Sequence, residues 1–115
     1  MIGSWRRALP IASALFVMAC AAGVREEIRV LPGGVRFRVH QPAAASVSVA
    51  GDFNGWSHTA HPMTRAGDYW TATIRLPPGE YLFTYVVDGT QFITPNGAEV
   101  VPDGFGGRNA RIVVP

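Results

Sequence analysis

His58 and His61, eight carboxylates, one cysteine and a handful of serines are the groups from which this 115-residue chain could build covalent or metal chemistry. The two histidines stand three apart, a spacing that converges on a metal only when helical. His61 precedes Pro62 in a turn-rich stretch, which works against a helix there. The serines lack the Gly-x-Ser-x-Gly context of a strained nucleophile elbow. Asp103-Gly104-Phe105-Gly106-Gly107 is glycine-rich, but no helical pattern follows it to cradle a phosphate. Asp52, Asp68, Glu80, Asp88, Glu99 and Asp103 all fall in or near turns, whereas a glycosidase pair must face across a cleft at about 5–10 Å. A single cysteine excludes an intramolecular disulfide and a cysteine-based zinc site. No catalytic residue, cofactor or metal is expected.

The ten basic residues are all arginine and oppose eight acids, for a net charge of +2. Setting aside Arg6 and Arg7 leaves eight arginines against eight acids, too even a balance for electrostatic capture of nucleic acid. Those two arginines precede an apolar run from Ala8 to Ala19, the pattern of a secretory signal peptide and short for a bilayer of about 30 Å. The run ends in Val17-Met18-Ala19-Cys20, which resembles the lipobox of bacterial lipoproteins: an aliphatic residue, a small one (where this chain has the bulkier Met18), Gly or Ala, then Cys. That resemblance implies cleavage before Cys20 and acylation of its thiol and new amino group. Each buried methylene would add about 0.8 kcal/mol to the anchor. The alternative is a plain secreted protein with an incidental or buried Cys20. Residues 1–19 are thus read as signal peptide, 20–27 as a lipidated tether and 28–115 as the folded domain. The expected location is the cell envelope on its periplasmic face, at the outer membrane in a Gram-negative cell.

The elements beyond the tether must be strands. No segment after Arg25 sustains a 3.6-residue apolar repeat, and short alternating runs are separated by glycine and proline. Val35, Phe37 and Val39 alternate with Arg36 and Arg38, and Val47 and Val49 with serines. Trp70, Ala72, Ile74 and Leu76 alternate with Thr71, Thr73 and Arg75, which puts Trp70 in the core. Phe83, Tyr85 and Val87 alternate with Leu82, Thr84 and Val86, apolar enough for a central strand. Ile112 to Val114 closes the chain. Asn54-Gly55, Pro77-Pro78-Gly79, Asp88-Gly89 and Asn96-Gly97 are turn signals. Strands at roughly ten-residue intervals predict an all-β, immunoglobulin-like sandwich of one domain.

Gly51-Asp52-Phe53-Asn54-Gly55-Trp56 with His61-Pro62-Met63, Leu76-Pro77-Pro78-Gly79-Glu80-Tyr81 and Tyr85-Val86-Val87-Asp88-Gly89 carry a specific resemblance. Their order is similar to the early-set module of glycogen branching enzymes and isoamylases, and to the glycogen-binding domain of the AMP-activated kinase β subunit. These are carbohydrate-binding modules of family 48, and the likeness runs from about Val35 to Val114. It implies that Trp56, the tryptophan of the Phe-Asn-x-Trp turn, is a platform for a glucan helix. An indole offers a flat apolar surface to the C–H face of a pyranose at low entropy cost. The family's second tryptophan is represented approximately by Phe92, its hydrogen-bonding asparagine by Asn109, and its lysine is replaced by Thr84.

Each assignment has an ordinary alternative: Trp56 as a core plug, Phe92 as an edge-strand core residue, and Asn109 as a turn cap. With the chain stopping at Pro115, where a branching enzyme's barrel would begin, the expectation is a non-enzymatic, α-glucan-binding lipoprotein. The competing expectation is a structural early-set domain that has lost its sugar and uses Trp56 and Phe92 to anchor an envelope protein partner.

Overall fold

The computed structural model describes residues 26–115. The signal-peptide segment, Cys20 and its proposed acylation lie outside the described residues. Among the described residues, nine strands run in chain order: β1 Glu27–Leu31, β2 Gly34–His40, β3 Val47–Gly51, β4 Thr64–Ala66, β5 Tyr69–Ile74, β6 Gly79–Val87, β7 Gln91–Ile93, β8 Glu99–Pro102 and β9 Arg108–Val114. They form two antiparallel sheets. One has the order β1-β2-β5-β4, and the other β3-β6-β9-β8 with β7 also paired to β6. This is the all-β sandwich that the alternation predicts.

Period-two patterning decides what lies between the sheets. Val35, Phe37 and Val39 of β2 are buried, and their cross-strand partners on β5 are Ile74, Ala72 and Trp70. From the other sheet come Val47 and Val49, then Phe83, Tyr85 and Val87, then Ala110, Ile112 and Val114. Phe37, Phe83 and Tyr85 meet edge-on with centroids 5.0–6.4 Å apart, the arrangement that ring quadrupoles favour. Trp70 is core, as its face predicts. Its indole N–H donates to the Gln41 carbonyl at 2.9 Å, and Arg65 lies over its ring.

The structure adds four strands to the five alternating runs. β4 is the three residues Thr-Arg-Ala, all exposed, and has no apolar face to betray it. β7 has three residues and β8 four, and both are mostly exposed. β1 also moves a boundary. Glu27, read as the end of the tether, is the first residue of β1, opposite Arg38. Its carboxylate accepts from Arg36 at 2.9 Å and lies 3.4 Å from Arg38, which binds this residue into the sheet. Asp88 fastens the connection after β2, accepting from the backbone N–H groups of Ala45 (2.7 Å) and Ser46 (3.0 Å).

β6 organises the second sheet. Its C-terminal half pairs with β3 on one side, and the other side is shared between β9 and β7. The outward positions Ala50, Thr84 and Val86 are therefore buried even though they face away from the core. Loops before β4 and β9, together with β7, rise around them.

Candidate functional site

The loop after β3 is built around one amide. Asn54 Oδ1 accepts from the backbone N–H of Gly51 (3.0 Å) and of Ser57 (3.2 Å). Its Nδ2 donates to the Val49 carbonyl (2.9 Å) and lies 2.8 Å from His61 Nδ1. The four contacts use the full capacity of a carboxamide, and they assign the acceptor role to His61 Nδ1. Phe53 packs edge-on between His61 and Tyr81. Glycine is required at 51, where an added Cβ would overlap the Phe53 ring and come within 2.7 Å of the Leu82 carbonyl oxygen. Asp52, read as a helper of this turn, reaches instead to β6 and accepts from Leu82 N–H at 3.2 Å.

This frame sets the conformation of Trp56. Gly55 takes φ 67°, as a turn glycine should, and Trp56 follows at φ 61°. A bulky residue in the left-handed region costs about 1–2 kcal/mol. The strain is held by the Trp56 N–H donating to the Gly51 carbonyl at 2.8 Å. Asp88 also has a positive φ (53°), which an aspartate tolerates and its bonds to Ala45 and Ser46 hold, whereas backbone strain at a bulky aromatic residue is the kind that marks functional positions. Trp56 is 37% exposed, so it is not a core plug.

Trp56, Phe92 and Asn109 come from three distant stretches of chain and line one groove of about 460 Å³. Ala50 and Thr84 make the floor, and Thr94, Asp103, Arg108 and His58 complete the walls. Phe92 sits on β7 opposite Val86 and is 59% exposed, which removes the edge-strand core reading. The His58 ring meets it edge-on at 5.3 Å. His58 and His61 thus diverge, one toward Phe92 and the other toward Asn54. Asn109 is half-buried on β9 and pairs with Val101 through the backbone, and its amide has no hydrogen-bond partner among the described residues. Thr84, at the position where the resemblance has a lysine, donates to the Ile93 carbonyl at 2.9 Å and so fastens β7 to the groove floor.

One residue of the site escaped the sequence reading. Phe105 is 93% exposed and flanks a shallow depression with Trp56, Asp103 and Asn109. Asp103 shapes its loop by accepting from the N–H groups of Phe105 (2.7 Å) and Gly107 (2.9 Å). The signal was present: a phenylalanine among three glycines has no alternating partner with which to be buried. Chemically, the groove offers large aromatic surfaces at its rim and a free amide between them. It suits a ligand with apolar faces and hydroxylated edges.

Comparison with known proteins agrees with this chemistry. Residues 22–106 match carbohydrate-binding module 48 (isoamylase N-terminal domain). The chain is 44% identical over 69 residues to the 1,4-alpha-glucan branching enzyme of Pseudomonas aeruginosa, covering 57% of this chain and 9% of the enzyme. It is 42% identical over 67 residues to the enzyme of the same description from Corynebacterium jeikeium, covering 53% and 9%. A shorter stretch of 34 residues is 59% identical to that of Hydrogenovibrio crunogenus, covering 30% and 5%. The chain thus spans about a tenth or less of the length of the relatives it matches. With a family match across most of its length, this chain belongs to carbohydrate-binding module family 48.

Proposed function

We propose that the domain is a non-catalytic module that binds α-glucan chains, with Trp56 stacking on a glucose ring. Phe92 and Phe105 offer further apolar surfaces, and the Asn109 amide hydrogen-bonds ring hydroxyls. The observation that carries this reading is the convergence of Trp56, Phe92 and Asn109 on one groove. The choice of glucan is supported by relatives whose names describe action on 1,4-alpha-glucan. Binding is weak, because a flexible sugar surrenders freedom to only a few ordered side chains. The protein would present this groove from the cell envelope, held by a lipid anchor at Cys20.

Isothermal titration with maltoheptaose tests the site. The wild type is expected to bind, and Trp56→Ala to lose at least tenfold in affinity, about 1.4 kcal/mol. Equal heats from the two proteins would refute the platform. The anchor is tested separately: Cys20→Ala should release the protein from the membrane fraction, and unchanged fractionation would refute acylation.

A further inference from the structure

The outer face of the four-stranded sheet differs chemically from the groove. Strand alternation and register place Glu27, Arg38, Thr71 and Thr64 in one row across β1, β2, β5 and β4. The next row is Arg29, Arg36 and Thr73, and Arg75 follows directly after β5 on the same side. Four of the seven arginines among the described residues therefore share one face. Glu27 is the one acid within these rows, and it is divided between Arg36 and Arg38. Glu26 and Asp68 lie toward the opposite end, beside His40 and Tyr69. The guanidinium groups of Arg29 and Arg75 have no ion pair or hydrogen-bond partner among the described residues.

Arg29 also stands directly opposite Arg36, although like charges at paired positions destabilise a sheet. A partner that supplies negative charge removes that conflict. The form of the face restricts the partner further. It is a flat antiparallel surface, and none of the large apolar side chains exposed among the described residues projects from it. The half-buried Leu31 and Tyr69 stand at its two ends, so the arginine rows between them lack the central desolvated anchor on which protein interfaces depend. Nor does the face have an aromatic-walled groove to hold a sugar ring. What it offers is guanidinium forks that match phosphate oxygens, interleaved with threonine hydroxyls.

We infer that this face is a docking surface for an anionic phospholipid bilayer, with Arg29, Arg36, Arg38 and Arg75 set against the headgroup phosphates. The glucan groove lies on the outer side of the opposite sheet, so a domain resting on its arginines presents Trp56 away from the membrane. Cys20 is seven residues before Glu27, which at full extension is about 25 Å. An acyl anchor there would hold the domain within reach of the bilayer. The arginine face then fixes which way it points.

Vesicle co-sedimentation tests this with the full chain carrying Cys20→Ser in every arm, so that acylation plays no part. The vesicles are phosphatidylcholine alone, or phosphatidylcholine with about one third phosphatidylglycerol. Each arginine near an anionic surface multiplies partitioning about fivefold. The double variant Arg29→Gln/Arg75→Gln, which breaks no ion pair, should lose at least tenfold of the phosphatidylglycerol-dependent partitioning while keeping its far-UV circular dichroism. High salt should produce the same loss in the parent. Partitioning unchanged by the double substitution would overturn the inference and assign the effect to arginines outside this face. Retention on immobilised alginate that requires the two arginines, with no preference for anionic vesicles, would overturn it in favour of an acidic polysaccharide.

Discussion

The two outer faces of this sandwich are made of the same kind of strand and meet solvent in opposite ways. The face of β3, β6 and β9 is concave, because loops and β7 rise around a floor of Ala50 and Thr84. The face of β1, β2, β5 and β4 has no such surround and carries arginines and threonines in cross-strand rows. Local strain is distributed accordingly. The groove side stores it in the backbone, at the positive φ of Trp56, and stabilises it through the Asn54 amide. The flat side stores it as electrostatic conflict, with Arg29 opposite Arg36, and offsets part of it with Glu27. Two chemically different surfaces thus fit on one small scaffold because the core between them is apolar and indifferent to both.

The largest effect is expected where the groove is held together. Asn54→Ala should cost about 2–3 kcal/mol of unfolding free energy, since it strands backbone donors that have no substitute. It should abolish maltoheptaose binding as well, which denaturation and titration of the same sample will reveal. Trp56→Ala separates the two properties: at least a tenfold loss of glucan affinity with a stability cost smaller than that of Asn54→Ala. Tyr85→Phe probes the core common to both faces. The Tyr85 hydroxyl is buried without a hydrogen-bond partner among the described residues, so its removal should stabilise by about 1 kcal/mol.

That variant also has a pH signature. Burial, and secondarily the charge of Glu26, raises the Tyr85 phenol far above its ordinary value. Above about pH 10 the unfolded chain therefore releases a proton that the folded chain keeps. The stability this contributes is complete below that pH and is lost as pH rises beyond it. Denaturation curves at pH 9 and pH 11 should show the loss in the wild type and a smaller one in Tyr85→Phe. The smallest effect belongs to the flat face: Arg29→Gln should raise stability by about 0.5 kcal/mol by relieving the repulsion with Arg36, and leave glucan binding untouched.

Much of this architecture was legible because buried strands write their faces into the sequence. Val35-Phe37-Val39 and Phe83-Tyr85-Val87 could be assigned from alternation alone, and Trp70 fell on the correct side. β4, β7 and β8 were not legible, since three or four exposed residues acquire strand geometry from a neighbour rather than from their own pattern. Trp56, Phe92 and Asn109 were identified through a resemblance in motif order. Their convergence on one groove depends on β6 pairing with β3 and β9, between residues 27 to 40 positions apart, which no local pattern encodes. Asn54 was read as a turn residue. That its side chain is the centre of the loop's hydrogen bonding emerges only when Val49, Gly51, Ser57 and His61 are brought around it. Glu27 was placed in the tether because its partners, Arg36 and Arg38, lie on another strand.

The most direct measurement is a residue-resolved NMR titration of the wild-type domain with maltoheptaose. Shifts are expected at the Trp56 indole, the Asn109 amide and the backbone of Phe92 and Phe105, with Arg36, Thr71 and Thr73 unmoved. Shifts centred on the arginine face, or a Trp56 indole signal indifferent to saturating sugar, would contradict that expectation.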